Sequence, residues 1–122
     1  METRTANIWL RDDGIIHIES TSTGGSISDV RENFAAVLKE ANGEKRPLLI
    51  DLSKAKALSR DERKYYASDE AQKVLLAVAL LIDSPLSRIM GNFFVGLNKP
   101  AYPLQLFTSK TKAVKWLKGF VK

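Results

Sequence analysis

Few side chains in this sequence could do chemistry together, and they fall into three groups. The first is His17, the only histidine in a chain that has no cysteine. Thiolate nucleophiles, disulfides and sulfur-ligated metal sites are therefore excluded. A lone histidine does not build a metal site. A serine nucleophile needs a base tied to it, and nothing in the spacing ties His17 to a serine. His17 alternates with Ile16 and Ile18, so it points to the other side of their strand, and its ordinary reading is structural. With no catalytic set in view, the expectation is a chain that is not an enzyme and needs no cofactor.

The second group is Asp51, Asp83 and Ser84. Each aspartate ends an apolar run that reads as a parallel strand, and ligands of open α/β sheets sit beyond the carboxyl ends of such strands. Together with Ser84 they mark a shallow mouth for a small ligand. The ordinary reading of the same residues is that they start loops and cap neighbouring backbone amides. Gly24-Gly25 offers no alternative phosphate site, because the third glycine and the lysine of the usual phosphate-binding loops are missing.

The third group is the C-terminal run of Lys110, Lys112, Lys115, Lys118 and Lys122, on a helical pattern without an acid. Lys110 and Lys112 fall in its first turn, where cations oppose the helix dipole. A lysine beside free backbone amides can hold an anion; an ordinary solvated lysine face is the other reading.

The elements that must position these residues are legible in order. Residues 7–11 and 15–19 flank Asp12-Asp13-Gly14, a strong hairpin signal. Ser26 or Ser28 caps a helix whose apolar stripe is Val30, Phe34, Val37, Leu38 and Ala41, ended by Asn42-Gly43. Residues 47–52 form a buried strand. Ser59 and Glu62 have capping-box spacing and start a charged helix expected to run to about Gln72. Residues 74–82 are apolar on both alternating faces, so this strand must be covered on both sides; Ala77 and Ala79 share the face where a helix could approach closely. Ser84 and Pro85 start a helix with Leu86, Ile89, Met90, Phe93, Phe94 and Leu97 on one stripe. Residues 104–107 form a short last strand. Thr108 or Ser109 caps a last helix with Val114, Trp116, Leu117, Phe120 and Val121 as contacts. The order is ββαβαβαβα, an α/β fold with a mixed five-stranded sheet whose helical crossovers imply parallel pairing.

The 122 residues fit a single domain, residues 1–122. The formal charge of +5 and pI near 9.6 raise the prior for an anionic partner, but the lysines have few aromatic neighbours and no nucleic-acid motif, so nucleic acid ranks last. The longest apolar run, residues 74–82, is far short of the roughly 18 residues of a spanning helix, so no membrane span is expected. The polar start, residues 1–7, shows no signal peptide; a cytoplasmic location is the expectation.

This order, with Leu49-Ile50-Asp51-Leu52-Ser53 at the third strand and the interval to Ser59, resembles the STAS superfamily of sulfate-transporter and anti-sigma-factor-antagonist domains. The run Asp83-Ser84-Pro85-Leu86-Ser87-Arg88-Ile89-Met90-Gly91-Asn92-Phe93-Phe94, then Pro103, Phe107-Thr108, Ala113, Trp116 and Leu117, is similar to a group of small, uncharacterised bacterial STAS-like proteins. The resemblance implies a SpoIIAA-like βα superhelix with helices mainly on one side. The second face of the strand at residues 74–82 then needs either a helix on the far side or a second copy of the chain, which would make a homodimer. In the antagonists, an Asp-Ser-Ser-Gly loop after the third strand is phosphorylated by a kinase; here the stretch reads Leu58-Ser59-Arg60-Asp61-Glu62, without Ser-Ser or glycine. The implied function is a regulatory, protein-binding module that meets a protein partner, such as a regulator or kinase, through Lys56, Ser59, Arg60, Asp61 and Arg63. The alternative is a binding domain for a small anionic ligand, nucleotide or lipid, at Asp51, Asp83 and Ser84, since the winding also resembles a lipid-binding fold.

Overall fold

The computed structural model describes residues 1–21, 26–53, 60–66, 68–82 and 102–121. Its sheet begins with the hairpin: β1 (Ala6–Leu10) and β2 (Ile16–Ser20) pair antiparallel, with Trp9 opposite His17 and Ile8 opposite Ile18. Gly14 makes the turn possible, because its φ of 84° lies in the left-handed region. β3 (Arg46–Asp51), β4 (Leu75–Leu81) and β5 (Leu104–Phe107) add in parallel, in the order β1-β2-β3-β4-β5.

α1 (Ile27–Ala41) starts at a capping box in which the Ser26 hydroxyl accepts from Asp29 N–H and the Asp29 carboxylate accepts from Ser26 N–H at 3.0 Å. The Asp29 carboxylate also takes two hydrogen bonds from the Arg4 guanidinium, at 2.8 and 3.0 Å. The helix stops at Asn42, in the left-handed conformation. Val30, Phe34, Val37 and Ala41 are buried as the stripe requires, whereas Leu38 is 42 % exposed. Leu38 stands one residue beyond Val37 and falls off the edge of the stripe, while Ala36 takes a buried place instead.

The charged helix expected from Ser59 to Gln72 is divided. α2 (Arg60–Tyr66) and α3 (Asp69–Val74) are separate, because Ser68 is a second cap: its hydroxyl accepts from Ala71 N–H, and Asp69 and Glu70 occupy the new first turn. α4 (Lys110–Lys118) is capped by Ser109, whose hydroxyl accepts from Lys112 N–H at 3.3 Å. The helix expected to begin at Ser84 lies outside the described residues.

The sheet carries two cores. On one side α1, α2 and α3 bury Val37, Ala36, Tyr66 and Ala71 against Ile8, Ile16, Ile18, Leu48, Ile50, Val78 and Leu80. On the other, Ala113 and Leu117 of α4 pack on Leu49, Ala77, Ala79, Leu81 and Ile15. β4 is thus covered on both faces, as its unbroken apolar run demands, and Ala77 and Ala79 provide the flat bed on which α4 lies. Among the described residues the helices lie mainly on one side, with α1, α2 and α3 there and α4 alone on the other, and α4 removes the reason for a second copy of the chain on that face. Among the described residues, no helix is long and apolar enough to cross a membrane.

Candidate functional site

The carboxyl end of β3 is the first place where sequence reasoning put a site. Asp51 is the last residue of that strand and is half-buried. Its carboxylate accepts the Ser53 N–H at 2.9 Å, which closes the chain into a turn. This is the capping role. Asp83 and Ser84 lie outside the described residues, so a ligand mouth shared with Asp51 is not on view.

The charged stretch after β3 forms the second candidate. Lys56 and Ser59 lie outside the described residues; Arg60, Asp61 and Arg63 fall within α2. Aromatic rings hold this helix to the body of the protein. The Tyr65 ring meets Phe34 of α1 at a centroid distance of 4.6 Å, Tyr66 is buried in the core, and the buried Tyr102 hydroxyl donates to the Tyr66 carbonyl at 2.6 Å. Burial pushes the phenols of Tyr102 and Tyr65 far above their ordinary range, with Glu70 adding to the shift at Tyr65, so both stay protonated. Lys64 is exposed and Asp61 half-buried, while the aromatic end of α2 is fixed.

The third place brings together two groups that the sequence offered only separately, His17 and the start of the C-terminal lysine run. Across the hairpin, Trp9 and His17 stack with centroids 4.2 Å apart and planes 23° from parallel. His17 is only 2 % exposed, and neither ring nitrogen has a hydrogen-bond partner. Buried polar atoms almost always find partners, so this imidazole is anomalous. Burial pushes its pKa below the ordinary histidine value; Lys110 and, less strongly, Arg11 add to this, while Asp51 and Glu19 oppose it. The ring is therefore held neutral, with one donor and one acceptor nitrogen.

Around it lies an open cleft of about 520 Å³, lined by Trp9, Leu10, Arg11, Asp12, Asp13, His17 and Lys110. A second cleft of about 370 Å³ runs on between the hairpin and α4, sharing Arg11 and Lys110 and adding Lys115 and Lys118. Arg11 is steadied by Asp13, with N–O distances of 3.1 and 3.2 Å. One signal for this place was present in the sequence: the Asp12-Asp13-Gly14 turn sets Trp9 opposite His17, and alternation puts Arg11 on the face of Trp9. That α4 would bring Lys110 beside them was not legible, since it depends on where the last crossover lands. Among the described residues, no group of three or more His, Cys, Asp or Glu side chains could hold a metal ion.

Comparison with known proteins bears on the fold. A family model described as a domain of unknown function, DUF7793, matches residues 8–121. No curated protein matches the sequence. Among solved structures, an uncharacterized protein of the DUF3478 family with a SpoIIAA-like fold, from Shewanella loihica PV-4, superposes with a TM-score of 0.65. It is 18 % identical, over 96 % of this chain and 98 % of its own. A protein of unknown function from Arthrobacter sp. FB24 is 27 % identical over 91 % of this chain and 97 % of its own. Its TM-score of 0.38 is too low to support a structural argument.

Proposed function

The chain belongs to the DUF7793 family and has a STAS-like, SpoIIAA-like fold, and from that premise we propose that it is a non-enzymatic regulatory module that works by binding a protein partner. The observation that carries this reading is the construction of α2. Its Tyr65-Tyr66 end is anchored on Phe34 and Tyr102, which leaves the Arg60-Asp61-Glu62-Arg63-Lys64 stretch as a charged helix on a fixed base. Complementary charge at such a face favours partner choice and association rate more than raw affinity. The sequence gives the loop before it no Ser-Ser pair, so partner exchange here proceeds without the antagonist family's phosphorylation.

The test is an affinity capture from the source cell with the wild-type chain and with Arg60→Glu, Asp61→Lys and Arg63→Glu combined. A partner that binds the wild type, is lost from the variant, and rebinds in purified form to the wild type alone supports the proposal. Equal capture by both, with unchanged melting temperatures, sinks it.

A further inference from the structure

We propose that the cleft between the β1–β2 hairpin and the N-terminus of α4 is a binding site for a small phosphate-bearing anion, held by Arg11, Lys110 and the buried His17. This site lies on the opposite side of the sheet from the α2 surface and does not rest on the docking reading.

Three independent features converge there. The first is cationic: the two joined clefts are lined by Arg11, Lys110, Lys115 and Lys118 against two carboxylates, Asp12 and Asp13. One of those carboxylates, Asp13, already holds the turn by accepting Ile15 N–H at 3.3 Å, as well as pairing with Arg11. No salt bridge is formed by the four lysines of α4 among the described residues. The second is the helix end. The first bond within α4 runs from Ala113 N–H to the Ser109 carbonyl at 3.0 Å, and Lys112 N–H is taken by the Ser109 hydroxyl. The amides of Lys110 and Thr111 come before these and have no acceptor within the helix. The first turn contains no acid to balance its dipole, only Lys110 and Lys112.

The third feature separates this helix end from an ordinary one. His17 lines the same cleft as Lys110, is 2 % exposed, and leaves both ring nitrogens unbonded. An oxyanion beside Lys110 would accept from the imidazole N–H, which lacks a partner among the described residues, and from amides that have no acceptor within the helix. Trp9, stacked on the imidazole, holds the ring in place. The clefts have the size of sites for small ligands, and lysine and arginine side chains around a buried imidazole suit a compact anion.

The site carries its own pH signature. The charged groups that act on His17 are Lys110 and Arg11, which disfavour its protonation, and Asp51 and Glu19, which favour it; Asp12 and Asp13 line the cleft beside it. A bound anion offsets the two cations, so binding raises the pKa of His17. By linkage, affinity for an anion of fixed charge must rise as pH falls through the histidine range.

Because His17 is the only histidine, its imidazole gives one set of ring proton signals in NMR. The full chain is titrated with inorganic phosphate and, at matched ionic strength, with sulfate and chloride, at several pH values from 5.5 to 8. Glycerol phosphate in a parallel arm distinguishes an esterified ligand from free phosphate. Saturable shifts of the His17 ring signals, an upward move of its titration midpoint, and sulfate affinity that strengthens toward pH 5.5 support the site. Lys110→Gln should weaken binding about tenfold, equivalent to about 1.4 kcal/mol, while the exposed Lys39→Gln, on α1, leaves it unchanged. His17 signals that respond equally to chloride and phosphate overturn the proposal, as does binding that Lys110→Gln leaves intact.

Discussion

Replacing His17 by phenylalanine should make the protein more stable. In the wild type the ring is buried with a donor and an acceptor nitrogen unbonded, and each such group costs about 1–3 kcal/mol. Phenylalanine removes both and keeps an aromatic face against Trp9, where the rings now stack at 4.2 Å. The extra ring atom adds strain, and overpacking of this order offsets about 1 kcal/mol or more. The net expectation is a gain of about 1–3 kcal/mol at pH 8. For a domain of this length each kcal/mol moves the melting temperature by roughly 4 °C.

The effect must also depend on pH in a defined direction. The folded pKa of His17 lies below the ordinary value of 6.5, so below that pH the unfolded chain takes up a proton that the folded chain resists. Wild-type stability therefore falls as pH drops from 6.5 toward the folded value, by up to about 1.4 kcal/mol per pH unit. The variant lacks this loss, so its advantage over the wild type widens between pH 8 and pH 5.5. Urea unfolding at both pH values, in a buffer without phosphate or sulfate, measures it. His17→Leu is the companion variant, which adds no bulk but forfeits an aromatic pair worth about 0.5–1.5 kcal/mol. If both variants are less stable than the wild type at pH 8, the ring nitrogens are bonded in solution and the reasoning fails; a constant gap across pH refutes the electrostatic half.

Leu117→Ala should cost about 2–5 kcal/mol, since Leu117 is fully buried where α4 lies on Ala77 and Ala79; urea unfolding checks it, and a loss below about 1 kcal/mol would mean that α4 is loosely docked. Asp29→Asn should lower stability near neutral pH, because the Arg4 guanidinium first, and then the Ser26 backbone, hold this carboxyl well below the usual carboxylate range. That contribution is complete above the unfolded value of 3.8 and is lost as pH falls below it toward the folded value, so the two unfolding curves should converge in acid and stay a constant distance apart from pH 5 to 8. With α4 covering the second face of β4, light scattering after size exclusion at micromolar concentration should give a monomer; a dimer would place another apolar surface at the interface.

What could be read from the sequence followed from short-range rules. The hairpin was written in Asp12-Asp13-Gly14, the end of α1 in Asn42-Gly43, and the two-sided cover of β4 in a run without a polar side chain. Each of these depends on neighbours within a few residues, where backbone preference and alternation decide. The division between α2 and α3 was equally local, but Ser68-Asp69-Glu70 had to compete with a longer helical pattern, and the cap prevailed because its hydroxyl bonds Ala71. The side on which α4 packs was not local. The alanines of β4 announced that a helix would approach, without saying which one.

The site shows the same division between local and distant information. From the sequence, Asp51 at a strand end has the position of a ligand group and His17 in mid-strand has the position of a filler. In the fold, one oxygen of the Asp51 carboxylate accepts the amide two residues on. His17 is the residue whose ring nitrogens have no partner among the described residues. A buried polar group without partners destabilises the fold that contains it, and such departures from local consistency are expected at sites that serve binding. The bonding of a single buried side chain thus points to a site where position along the chain does not: the imidazole that lacks partners among the described residues, beside the first turn of α4 and its lysines, is where an anion would complete the structure.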